Sequence, residues 1–142
     1  QACEQLGTTL VAFSPVARGF LCGPLDMAAL DAKDIRKSMP RFSPENYAAN
    51  FKLFAPYVKL ANEAGCSPAQ LALAWLLHKA PHIIPIPGTS SLPHLLEDLG
   101  ASEVRLSSEV ITQLEALINE KTVHGNRYSA QSNSEVDTEA FE

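Results

Sequence analysis

The sequence predicts an α/β fold built on parallel strands. Residues 8–13 and 82–86 are short apolar runs rich in β-branched residues, the pattern of strands buried on both faces of a sheet. Each run is followed at once by turn-formers, Ser14-Pro15 in the first case and Pro87-Gly88-Thr89-Ser90-Ser91 in the second. Helical spacing fills the chain between and beyond them, so the order is strand, helices, strand, helix. A parallel pair is not a stable sheet alone, and its edges lack partners. Further βα units are therefore expected N-terminal to Gln1.

In chain order, residues 1–6 read as the end of a helix, closed by Gly7 as its C-terminal cap. The first strand stops at Ser14-Pro15, and a loop marked by Gly19, Gly23 and Pro24 follows. Arg18 lies in that loop. A guanidinium there can pair with a phosphate, although a solvated surface arginine is the commoner case. Residues 26–40 hold at most a short helix, and the basic stretch 36–41 reads as a solvated face or a mobile loop over a site.

Ser43 caps the next helix, with Pro44 at its first position. Tyr47, Phe51, Phe54, Val58 and Ala61 make one continuous apolar face, a core stripe, on a helix running to Gly65. Ser67-Pro68-Ala69-Gln70 has the pattern of a capping box. The helix it starts is apolar nearly all round, which predicts broad burial, and Pro81 stops it. Pro81 also separates His78 from His82, and no glutamate completes a zinc-protease motif, so no metal site is predicted. After the second strand and its turn, Leu92, Leu95, Leu96 and Leu99 return to helical spacing. A last helix from Ser107 carries Val110, Ile111, Leu114, Leu117 and Ile118, and residues 122–142 form a polar, Ser-rich, irregular tail after the domain portion 1–121.

Composition narrows the function classes. Hydrophobic residues make up 46% and charged residues 19%, ordinary for a globular chain. A net charge of −5 argues against nucleic acid and against an anionic membrane surface. No apolar run reaches the ~18–20 residues of a spanning helix, and no signal peptide opens the chain. Cys3, Cys22 and Cys66 are odd in number and lack metal-ligand spacing, so they read as free thiols of a reducing, cytoplasmic compartment. A start at Gln1 fits either processing or a fragment of a longer protein.

The turn at 87–91 is where chemistry is expected. Gly88 has no Cβ, so the backbone can approach a ligand closely. The free N–H groups of the following helical turn, its dipole and the hydroxyls of Ser90 and Ser91 favour an anion such as phosphate. An ordinary βα turn that binds nothing fits the local pattern equally well. In a (β/α)8 barrel, the loops after strands 7 and 8 often hold phosphates. Two such units at the C-terminal end of a chain fit that role, whereas a doubly wound fold would show a G-x-G-x-x-G fingerprint, which is absent. The fold class expected is therefore α/β, the C-terminal part of a (β/α)8 TIM barrel with strands 7 and 8 and their helices, incomplete by itself.

Three blocks also resemble a known family. VAFSPVARGFL at 11–21 resembles the segment after the seventh strand of aldo-keto reductases. IPIPGTSS at 84–91, with HLLED at 94–98, resembles their cofactor segment after the eighth strand, and SPAQLALAW at 67–75 is similar to the helix before it. Order and spacing agree over nearly the whole chain, closest to the bacterial and fungal branch with a long loop after strand 7. The resemblance implies an NADPH-dependent oxidoreductase that reduces aldehyde and ketone carbonyls of small molecules, with NADH as the other possible cofactor. It implies that Phe13 stacks on the nicotinamide, and that Ser14, Pro15, Val16, Arg18 and Gly19 wrap the pyrophosphate. Gly88, Ser90, Ser91 and His94 would take the 2′-phosphate, and Glu97 and Asp98 the adenine end.

Two departures qualify the match. Many relatives have Lys or Arg where Ser90, Ser91 or His94 stand, so hydroxyls and an imidazole here weaken a strict preference for NADPH. Asp98 stands where Asn is common, and a carboxylate accepts but cannot donate. The family's catalytic Asp, Tyr, Lys and His lie in its N-terminal half and have no counterpart in this chain. The isolated chain is therefore expected to be inactive without that half. The alternative is a non-catalytic remnant, or a regulatory fragment that binds a nucleotide or a partner.

Overall fold

The computed structural model describes residues 2–134. Helix α1, Ala2–Leu6, ends as expected: Gly7 turns left-handed at φ +64°, the Thr8 N–H donates to Cys3 O at 2.8 Å and the Gly7 N–H to Glu4 O at 3.2 Å. These two bonds form a Schellman cap. Strand β1, Leu10–Phe13, then pairs in parallel with β2, Ile83–Ile86, with Leu10 opposite Ile83 and Phe13 opposite Ile86. They form a two-stranded sheet.

Between the strands lie α2, Pro44–Phe51, α3, Phe54–Glu63, and α4, Pro68–Lys79. The single helix expected from Ser43 to Gly65 is broken at Lys52-Leu53. Pro56 explains the break: it has no N–H for the Lys52 carbonyl, and its ring crowds that group. The aromatic stripe survives the break as a ladder, with Tyr47 stacked on Phe51 at 5.9 Å and Phe51 on Phe54 at 5.5 Å.

Helix α4 starts on the predicted capping box. Ser67 Oγ accepts from the Gln70 N–H, and Gln70 Oε1 accepts from the Ser67 N–H. Gln70 Nε2 also donates to Glu97 O at 2.9 Å, tying α4 to α5, Leu92–Gly100. A Cβ at Gly100 would come within 2.7 Å of that amide, so a larger residue would displace it. Helix α6, Ser108–Leu117, closes the layer, capped by Ser107. Tyr57, Leu60, Ala61, Leu71, Ala74, Leu106, Val110 and Leu114 form the core between α3, α4 and α6. His78 is structural: Nδ1 lies 2.8 Å from Ala74 O, and Nε2 accepts from the Leu106 N–H at 3.4 Å.

The sheet departs from expectation. Both strands read as buried on both faces, yet Val11, Phe13, Ile84 and Ile86 are 53%, 49%, 52% and 49% exposed. Helix α4 packs against β2, but apart from the Arg127 guanidinium over the Phe13 ring no second layer among the described residues covers these four side chains. The α5 stripe is open too, with Leu92, Leu95, Leu96 and Leu99 all exposed. The inference from an apolar run to burial assumes a second covering layer, and the described residues provide only one.

Candidate functional site

The turn after β1 is built from unusual backbone. Ser14, Ala17 and Arg18 hold φ of +53°, +51° and +58°, and Gly19 follows at +89°. A non-glycine residue in the left-handed region costs on the order of 1 kcal/mol, so neighbours must hold the turn in shape. Arg36 does this. Its Nη1 donates to Arg18 O at 3.2 Å, while Nε and Nη2 grip Asp34 Oδ1 and Oδ2 at 2.9 and 2.7 Å. Those hydrogen bonds lower the Asp34 pKa to about 2. Arg36 is therefore a brace for the turn rather than a member of a solvated face or mobile loop.

A cleft of about 370 Å³ opens beneath the turn. Phe13, Ser14, Pro15 and Arg18 line one side, and Tyr57, Trp75 and Leu114 line the floor. Tyr57 is not set up as a proton donor to a ligand: its hydroxyl donates to Pro68 O at 2.6 Å, and burial pushes its pKa up.

The third side comes from the tail. Asn50, buried in α2, clasps His124 with both ends of its amide, Nδ2 to His124 O at 2.9 Å and Oδ1 from the His124 N–H at 2.7 Å. Arg41 Nε donates to Gly125 O at 3.2 Å. Gly125 sits at φ +85°, where a Cβ would meet Pro40 backbone at 3.0 Å, so glycine alone fits. The docked strand of tail delivers Val123 and Arg127 to the cleft, and the Arg127 guanidinium lies 4.3 Å from the centre of the Phe13 ring. A short helix α7, Ala130–Ser134, follows. Residues 122–134 thus carry ordered turns and a helix where an irregular tail was expected; the rest of that tail lies outside the described residues.

The second predicted cluster lies apart from this cleft. Gly88, Ser90, Ser91 and His94 occupy the turn after β2 and the first turn of α5. The hydroxyls of Ser43, Ser67 and Ser107 cap their helices, but Ser91 makes no such bond at α5. Val16 and Gly19 belong to the turn after β1 without lining the cleft. Electrostatics links the two clusters. The Cys22 thiol is pushed up by partial desolvation and then by the carboxylates of Asp98 and Glu97. Asp98 is itself pushed up by partial burial and by Glu97, with His94 acting in the opposite direction.

Among known families, the model of the aldo/keto reductase family matches residues 1–119. This chain belongs to that family. A thermostable aldo-keto reductase crystallised with the inhibitor epalrestat is 29% identical over 82% of this chain, with a TM-score of 0.50. A glycerol dehydrogenase from Gluconobacter oxydans, 22% identical over 81% of this chain with a TM-score of 0.69, shares the fold. The chain spans about a third of the length of these structures, 32% and 35%.

As read for an aldo/keto reductase, the sequence pointed to the two turns but missed Arg36, Arg41, Asn50 and Arg127. Signals for them existed. Asp34 stands two residues before Arg36, within reach of a local ion pair. Val123, Gly125 and Tyr128 are turn and apolar residues inside a stretch dismissed as a polar tail.

Proposed function

We propose that this chain is the cofactor-binding C-terminal part of a (β/α)8 reductase that moves a hydride from NADPH to an aldehyde or ketone carbonyl. The observation that carries this reading is the braced left-handed turn at residues 14–19. It sets Arg18, which has no carboxylate partner among the described residues, beside an apolar cleft entered by Phe13. Strained backbone held by a dedicated brace is worth its cost where a ligand needs a fixed shape.

In this reading Phe13 gives the nicotinamide a stacking platform. Ser14, Pro15, Val16, Arg18 and Gly19 wrap the pyrophosphate; the Ser14 hydroxyl, the N–H groups of Val16 and Arg18 and the Arg18 guanidinium are the donors, since Pro15 has no N–H and the Gly19 N–H bonds Val16 O. The first turn of α5, with Gly88, Ser90, Ser91 and His94, takes the 2′-phosphate at a helix N-terminus. Glu97 and Asp98 hold the adenine end. When bound, NADPH supplies the hydride; this chain binds and orients it, and the proton comes from the N-terminal half of the barrel.

Calorimetric titration of the chain with NADPH and NADH tests the proposal. NADPH is expected to bind, with less than about tenfold preference over NADH, because hydroxyls rather than lysines meet the 2′-phosphate. Arg18→Ala weakens NADPH about tenfold. Carbonyl-dependent NADPH oxidation is absent from the 142-residue chain and present once the N-terminal half is supplied. Failure to bind either nucleotide overturns the proposal, and binding without turnover in the assembled barrel supports a regulatory role instead.

A further inference from the structure

Three of the chain's 11 lysines and arginines, Arg18, Arg41 and Arg127, line this cleft, and among the described residues no carboxylate lines it with them. This is a local inversion in a chain whose net charge is −5. Arg18 belongs to the turn after β1. Arg41 and Arg127 come from the far side, where the docked tail meets the segment before α2. Neither has an ion-pair partner among the described residues. Both are fixed by neutral contacts: Arg41 through Gly125 O, Arg127 by lying over Phe13 and within 5.5 Å of the Tyr128 ring centre. Stacking on a ring face leaves the edge donors of a guanidinium free.

The two charges also work against each other. Partial burial, and then the charge of Arg127, lowers the Arg41 pKa. Two like charges facing one cleft repel, only weakly because both side chains are exposed to solvent, and an anion between them relieves that repulsion; a planar carboxylate suits guanidinium donors. The turn at 87–91, proposed for the 2′-phosphate, does not line this cleft, and the pyrophosphate is assigned to Arg18 and the turn after β1, so neither cofactor anion is assigned to Arg41 and Arg127.

We infer that Arg41 and Arg127 form an anion subsite selecting carbonyl substrates that carry a carboxylate, an oxo acid rather than a neutral aldehyde. The anion subsite stands on the geometry above, and the carbonyl rests on the reductase reading of the preceding section.

Trp75, the single tryptophan of the chain, lines the same cleft and reports binding without turnover. The full chain is titrated with 4-oxobutanoate and with butanal, which share an aldehyde and a four-carbon chain and differ in the terminal carboxylate. Trp75 emission is expected to report 4-oxobutanoate about tenfold more tightly than butanal. Arg41→Gln and Arg127→Gln, changes at exposed side chains, each remove that advantage and leave butanal affinity unchanged, and Arg41→Gln also leaves NADPH affinity unchanged. Arg127→Lys, which keeps the charge but not the planar fork, retains part of it.

Equal affinity for the two aldehydes, no response to 4-oxobutanoate, or an advantage that survives both glutamine variants overturns the inference. So does a parallel loss of NADPH affinity in Arg41→Gln, which would assign that arginine to the cofactor's phosphates. A carboxylate advantage that persists in a chain unable to bind NADPH supports the anion subsite while removing the reductase reading.

Discussion

The helical layer and the sheet are made of the same kinds of residue and end in opposite environments. In the layer of α3, α4 and α6, Leu71 is fully buried and Leu60 is 5% exposed. On the open side of the sheet Val11 and Ile84 stay about half exposed, and Leu96 on α5 is 61% exposed. The difference teaches that apolar patterning marks which face wants cover, while the covering partner decides whether it is obtained. The helical layer carries its own partners within the chain. The face of Val11, Phe13, Ile84 and Ile86 has no covering layer among the described residues beyond the Arg127 guanidinium over Phe13.

The sharpest break in that comparison would come from truncating one residue in each region. Leu71→Ala should lower stability in urea by about 3 kcal/mol, since it removes a buried branched side chain and leaves a cavity. Ile84→Ala should cost less than about 1 kcal/mol, because its side chain gives up little buried area. Equal costs would mean that the sheet face is covered in solution, and the contrast drawn above would be wrong.

A smaller effect isolates the helical layer. Ser67→Ala deletes one half of the capping box and should cost about 1 kcal/mol, read as a shift in the urea midpoint with an unchanged slope. The same change at Ser91 removes a hydroxyl that caps nothing and should leave stability within about 0.5 kcal/mol. A comparable loss at both serines would show that α5 is capped in solution after all.

The smallest effect concerns the braced turn. Asp34 has a folded pKa near 2 against an ordinary 3.8. A depressed carboxyl stabilises the fold above its unfolded value and loses that contribution as pH falls from 3.8 towards 2. The unaltered chain and Asp34→Asn should therefore differ at pH 7 and converge across that interval in thermal unfolding. A gap that stays constant with pH would remove Asp34 ionisation as its cause.

Much of the fold was legible because its signals are local. Gly7, the Ser67–Gln70 box, Ser107 and Pro81 each act within one helical turn of the break they cause, so the sequence shows them directly. Pro56 was equally visible, but the aromatic stripe running through it argued for continuity, and the lost backbone donor outweighed the stripe. The site was legible only in part, for a different reason. The turns after the two strands announce themselves by composition, whereas Arg36 reaches Arg18, Asn50 reaches His124 and Arg41 reaches Gly125 across gaps that no spacing rule spans. Side chains that act at long range look like ordinary surface residues in a sequence.

The register of the sheet sets an order of assembly. Leu10 pairs with Ile83 across the whole of α2, α3 and α4, so the strands can meet only after a long loop has closed, whereas α3 and α4 close a short one. The α3–α4 pair should consolidate first and β1 should dock late, bringing residues 14–19 into shape near the end. Pulse-labelling hydrogen exchange would then find amide protection at residues 11–13 lagging behind that of α4, and the turn at 14–19 would be among the last parts of the chain to mature during refolding.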